Sequence, residues 1–177
     1  MIGTRRMLGG ALAAAFCLVS AVTSGETQPS DKTVLCMTQP KGPGGVSATL
    51  AEWAEGARLF QRLGSFHRPV STNSPEAQTY FDQGMRLLWA FNHDEATRSF
   101  AKAAALDPGC AMCYWGVSLT VGPNYNLPMM AEPRAAVAWE ALEPAEQHAG
   151  QATPVEQALI QALAKALPER AAARPLR

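Results

Sequence analysis

Two stretches of this chain read alike at an offset of 34 residues, and that period limits the fold more than any other feature. Tyr80, Gly84 and Leu87 stand in the first stretch, and Tyr114, Ser118 and Val121 take the same places in the second. The first continues with Ala96-x3-Phe100, then Ala103 and Pro108. Its counterpart, Ala135-x3-Trp139, comes 39 residues on, which places a five-residue insertion in the loop Gly122–Pro133. A unit of this length cannot bury its apolar face alone. Neighbouring units must stack to make a continuous core.

The unit is built from helices. Ser74-Pro75-Glu76 opens one with a Ser cap, a Pro in the first turn and an early acid, and it runs to about Ala90. Asn92 caps the next, with Glu95 placed to complete a capping box, and Pro108 ends it near Leu106. Further helices are expected over Cys110–Val121 and Arg134–His148, the latter kinked or ended early by Pro144. Thr153-Pro154-Val155-Glu156 opens a last one that runs to Leu167. Ahead of the repeats, Leu50, Trp53, Ala54, Ala57 and Phe60 form one apolar stripe and predict a helix over 48–63.

Composition agrees. Ala occurs 32 times against 11 for Val and Ile together, which excludes an all-β sandwich or barrel. The expected class is all-α, with antiparallel helix pairs stacked as a short α-solenoid. Residues 1–25 have the parts of a signal peptide: Arg5 and Arg6, an uncharged apolar run from Met7 to Val22, then Thr23, Ser24 and Gly25. The protein is therefore expected to be exported, periplasmic or secreted, with an uncleaved membrane anchor as the alternative reading of this segment. With Arg5 and Arg6 set aside, 13 basic residues face 15 acidic ones, so no basic surface for nucleic acid is expected. No later run is long and apolar enough to span a bilayer. Residues 26–47 read as a flexible lead-in, 48–73 as a helix and loop, 74–167 as the repeats and 168–177 as a disordered tail.

Tyr80-x2-Gln83-Gly84-x2-Leu87, Ala96-x3-Phe100, Ala103 and Pro108 resemble the tetratricopeptide repeat family in every spacing, with Gln83 and Leu87 departing from its usual residue types. The stretches His67–Thr72, Phe91–Ala96, Cys110–Gly116 and Gly122–Asn124 are similar to those of one group of exported bacterial repeat proteins that carry several more units. The resemblance implies paired helices, with Gly84 and Ala96 small where the two cross, and with Tyr80, Leu87 and Phe100 filling the space between pairs. It implies a groove that takes a protein or peptide segment, with Gln83 and Arg86 as contacts, and no catalysis, cofactor or metal. It also implies a shortened array. The last helix would then present Leu159, Ile160, Leu163 and Leu167 without a partner, as a face for self-association.

Cys110-x2-Cys113 is the sharpest chemical feature. At a helix start a thiolate is favoured, so a redox pair is one reading and a local structural disulfide the other. A Cu(I) site of Cys110 and Cys113 with Met112, Met129, Met130 or His93 is a further alternative. Cys36 leaves the cysteine count after residue 25 odd. His67, His93 and His148 form no ligand spacing and are expected at the surface or beside caps. Glu140, Glu143 and Glu146 are expected on one solvated face. Trp53, Trp89, Trp115 and Trp139 are expected to pack between helices.

Overall fold

The computed structural model describes residues 47, 49–126, 128–130 and 132–167. The signal peptide, the lead-in up to residue 46, Cys36 and the tail lie outside these residues. Among the described residues the chain is all-α, with six helices and no strand. They are α1 (Leu50–Glu55), α2 (Pro75–Trp89), α3 (His93–Leu106), α4 (Ala111–Val121), α5 (Glu132–His148) and α6 (Pro154–Ala166), with a short 3-10 turn at Ala149–Gln151 before α6.

The helix starts follow from their caps. The Ser74 hydroxyl accepts the Ala77 N–H at 3.1 Å, and the Asn92 side chain accepts from Glu95 N at 3.4 Å. Thr153 and Glu156 make a reciprocal box: Thr153 Oγ1 accepts the Glu156 N–H, and the Glu156 carboxylate accepts the Thr153 N–H at 2.7 Å. At α3 the expected box is half made. The Glu95 carboxylate turns to the Arg98 guanidinium at 2.8 Å, a charge-assisted partner one turn away.

Two helices depart from expectation. The one predicted over 48–63 stops at Glu55, with Gly56 as its C-cap. Beyond it the backbone bonds across to α2 instead of to itself, as described below. Pro144 neither ends nor interrupts α5, which runs on to His148. A proline removes the bond to the carbonyl four residues back, here that of Glu140, and Glu140 is exposed to solvent. Glu140, Glu143 and Glu146 all lie on the solvent side, as their spacing predicts.

Each of α2, α3, α4 and α5 packs against the next, α1 lies on α3, and α6 lies on both α4 and α5. Phe100 is the hub. It is fully buried, meets Phe81 edge-on at 5.3 Å, and presses on two glycines. A Cβ at Gly84 would come within 2.6 Å of its ring, and one at Gly116 within 2.4 Å. Gly84 is thus the close-approach residue the repeat predicts, and Gly116 on α4 is a second that it does not. Tyr80, Leu87, Ala96, Ala103, Ser118 and Ala135 are buried, Tyr114 is half-buried, and Pro108 stands exposed in the turn after α3. Trp139, the expected counterpart of Phe100, is only half-buried, and Leu142 on the same helix is fully so. The tryptophans divide: Trp53 and Trp115 are buried, but Trp89 is 68% exposed at the end of α2 and packs between no helices.

The apolar face of α6 is not open. Ile160, Leu163 and Leu167 are buried against α4 and α5, Leu159 is half-buried, and Trp115 Nε1 donates to the Leu159 carbonyl at 3.2 Å. The residues expected to stand free for self-association are spent inside the chain. Burying them against whichever apolar helices are within reach removes the same surface from water that a second copy would.

Candidate functional site

An irregular segment has no ladder of its own, so its backbone groups need other partners. Residues 57–73 find them along one side of α2. The Gln83 side chain accepts the Phe60 N–H at 2.7 Å and donates to the Arg58 carbonyl at 2.8 Å and the Ser99 hydroxyl at 3.0 Å. Gln78, Asp82 and Arg86 recur every four residues and so form one stripe. Arg86 donates to the Phe66 carbonyl through Nε at 2.9 Å and Nη2 at 2.6 Å. Asp82 accepts the Arg68 N–H at 3.1 Å and pairs with His67 Nδ1 at 2.6 Å. Gln78 accepts the Val70 N–H at 3.0 Å and donates to the Arg68 carbonyl at 2.8 Å. The segment lies along α2 as a strap, and from Phe66 to Val70 it runs antiparallel to the helix.

Its last residues are tied to carboxylates from other parts of the chain. Glu156, buried at the start of α6, accepts from the Ser71 N–H at 2.9 Å and the Ser71 hydroxyl at 2.6 Å. Asp107 accepts from the Thr72 hydroxyl, from the Asn73 N–H at 3.1 Å and from the Gly109 N–H at 3.1 Å. The Thr72 bond leads in holding the Asp107 carboxyl below its ordinary range, against an opposing push from burial. For Glu156 burial is the largest influence and pushes upward, but the bonds from Ser71 and Thr153 together outweigh it and the pKa is lowered. Both groups are held as anions.

Gln83 and Arg86, expected as free contacts in a groove, are instead occupied by the strap, and Gln83 is buried at 2% exposure. Gln78, Asp82 and Asp107 do as much and were not singled out by the sequence, and Glu156, expected only as a helix-capping acid, also holds Ser71. The four-residue spacing of Gln78, Asp82 and Arg86 was visible there, but not what would lie on it.

Beside the strap is a cavity of about 240 Å³. It lies where the turns before α2, α4 and α6 converge, between Asn73, Asp107, Ala111, His148 and Gln151. The His148 ring stacks on Tyr114 at 6.5 Å, and burial, followed by the Asp107 charge, raises the Tyr114 pKa.

Cys110 and Cys113 are joined in a disulfide at the start of α4, and both side chains are fully buried. In this state neither sulfur offers a thiolate to a metal. Met112 is fully buried and Met129 is 81% exposed. His93 is not beside the cysteines but in a second, shallower cavity of about 360 Å³ with Asn124, Asn126 and Arg134. Burial, followed by the Arg134 charge, lowers its pKa, with Asp94 opposing. Arg134 bonds to Asp94 at 3.0 Å and to the Thr120 carbonyl at 3.2 Å, which caps the end of α4. Among the described residues no three His, Cys, Asp or Glu side chains group as a metal site, and no helix is long and apolar enough to cross a membrane. Comparison of the chain with family models, with curated proteins and with solved structures found no match in any of the three.

Proposed function

We propose that this chain is an exported helical-repeat scaffold of tetratricopeptide type, which holds an extended protein or peptide segment and carries out no reaction itself. One observation supports this above the rest: α2 already grips an irregular, non-helical polypeptide segment of its own chain. Gln78, Asp82, Gln83 and Arg86 all bond to main-chain groups of residues 58–70. Recognition through the main chain does not depend on the sequence held, so a foreign segment can meet the same kind of surface. Helices packed each against the next, with Phe100 lodged between α2 and α4, support the stacked-pair reading.

The test is a peptide-library selection on the purified chain beginning at residue 26, with hydrogen exchange as the readout. Bound peptides are expected to change protection in residues 57–73 and along α2. Absence of any enriched peptide, or protection changes confined to α5 and α6, would sink the proposal.

Thiol-redox or copper handling by Cys110 and Cys113 is the second reading, and the disulfide at a helix start is what favours it. Complete burial of both sulfurs favours a structural bond. Thiol titration with and without a mild reductant separates the two: a pair that cycles readily, or a copper ion lost in Cys110→Ser, supports the chemical role.

A further inference from the structure

The cavity beside the strap has a definite chemical character. Its walls include Val70, Ala111 and Ala152 on one hand, and Ser71, Thr72, Asn73, Asp107, His148 and Gln151 on the other. Among the described residues no Lys or Arg lines it, and Asp107 is the one carboxylate of the lining. A second carboxylate, Glu156, stands directly behind Ser71. Three helix starts, each with a partial positive charge, also point here, and the two full carboxylate charges outweigh them, so the net local field favours a cation. The cavity's volume of about 240 Å³ exceeds what a bare ion needs, and its apolar wall asks for methylene groups.

The hydrogen bonds already made at Asp107 decide between the two basic side chains. A carboxylate has about four acceptor positions. Oδ2 takes both the Thr72 hydroxyl and the Asn73 N–H, and Oδ1 takes the Gly109 N–H. One position on Oδ1 is left, so no parallel pair of oxygens remains for the fork of a guanidinium. An ammonium is a point charge with three rotatable donors. It can use the single place on Oδ1 and turn its other two hydrogens to neutral oxygens such as the Gln151 and Asn73 amides.

We propose that this cavity receives the side chain of a lysine in the bound segment, its ammonium against Asp107 and its methylenes along Val70, Ala111 and Ala152. The assignment rests on the peptide-holding reading and adds a preference to it. Along α2 the strap is held largely through main-chain groups, with His67 as a side-chain contact, whereas a pocket for one charged side chain fixes the register of what is bound. His148, stacked on the Tyr114 ring, also lines the cavity.

The experiment uses the whole chain from residue 26 and small probes, so that it does not depend on any peptide. Backbone amide shifts are followed while n-butylammonium, n-butanol or n-propylguanidinium is added. Saturable shifts at residues 71–73, 107–111 and 148–152 with n-butylammonium are expected, with the other two probes at least about tenfold weaker. Gln151 is exposed and its replacement leaves the core intact, so Gln151→Lys tests the charge: it is expected to weaken n-butylammonium by about tenfold or more while the far-ultraviolet circular dichroism stays the same. Equal shifts with n-butanol, stronger binding of the guanidinium, or an unaffected Gln151→Lys variant would each overturn the assignment. The two proposals fail separately. Peptides that bind a chain deaf to n-butylammonium leave the scaffold and remove the pocket. Saturable n-butylammonium binding in a chain that selects no peptide leaves a cation pocket and removes its role in a scaffold.

Discussion

Phe100 shows how little freedom a single buried ring leaves around it. Gly84 on α2 and Gly116 on α4 both lie against it, where an added methyl would fall 2.6 and 2.4 Å from ring carbons. Overpacking of this kind costs about 1–3 kcal/mol. Gly84→Ala and Gly116→Ala are each expected to lower the unfolding free energy by an amount in that range, read as a fall in the urea midpoint, and pairing either with Phe100→Leu should recover part of the loss. Unchanged midpoints in both alanine variants would contradict the close contact. Phe91 presents the opposite case. It follows α2 with φ of +58°, while its N–H donates to the Leu88 carbonyl and the next N–H to that of Leu87. That geometry favours glycine, and the ring is 70% exposed. Phe91→Gly is expected to stabilise the protein by about 1 kcal/mol, measured as a rise in the same midpoint.

At the scale of elements, the strap is the part that depends on pH. Asp107 and Glu156 both have folded pKa values below their unfolded ones. Their contribution is therefore complete above the unfolded carboxylate range, near pH 4, and is lost as pH falls through the lowered folded values. Hydrogen exchange should show the amides of Ser71 and Asn73 unchanged in protection between pH 7 and pH 5. Further acidification should release them before the amides of α3. Equal protection of strap and helix down to the acid transition would argue against anchoring by these two groups. Glu156→Gln keeps the shape and removes the charge. It is expected to cost about 2 kcal/mol, the order of a hydrogen bond to a charged group, and to flatten part of that acid dependence. The helices themselves were legible beforehand because their signals are local. Ser74-Pro75, Asn92 and Thr153-Pro154-Val155-Glu156 each act within four residues of the cap they form. The end of α1 was not legible in the same way. Ala57 and Phe60 keep the helical spacing of Leu50 and Trp53, but Gly56 caps the helix and Gln83, from another helix, captures the backbone that follows.

In the whole molecule, α6 packs across α4 and α5 and covers their apolar faces. Two units and a lone third helix suggested an apolar stripe facing water, yet Ile160 and Leu163 are covered by α4 and α5. Ile160→Ala should cost about 2–4 kcal/mol in global stability, read from a cooperative circular dichroism melt, and should move the strap as well, because Glu156 lies on the same helix. A negligible change would mean that α6 adds little to the core.

The sequence by itself determined the helical class, four of the six helices closely, the small residue at position 84 and the buried ring at position 100. All of these depend on neighbours a few residues away or on a repeated spacing. Only the tertiary structure decided where residues 57–73 lie, that Gln83 and Arg86 face inward to them, that Gly116 completes the seat of Phe100 and that Asp107 borders a cavity. These rest on contacts such as Ser71 with Glu156, 85 residues apart. A hydrogen bond at that separation leaves no periodic trace in the chain, because each partner is an ordinary polar residue until the fold has set the other beside it.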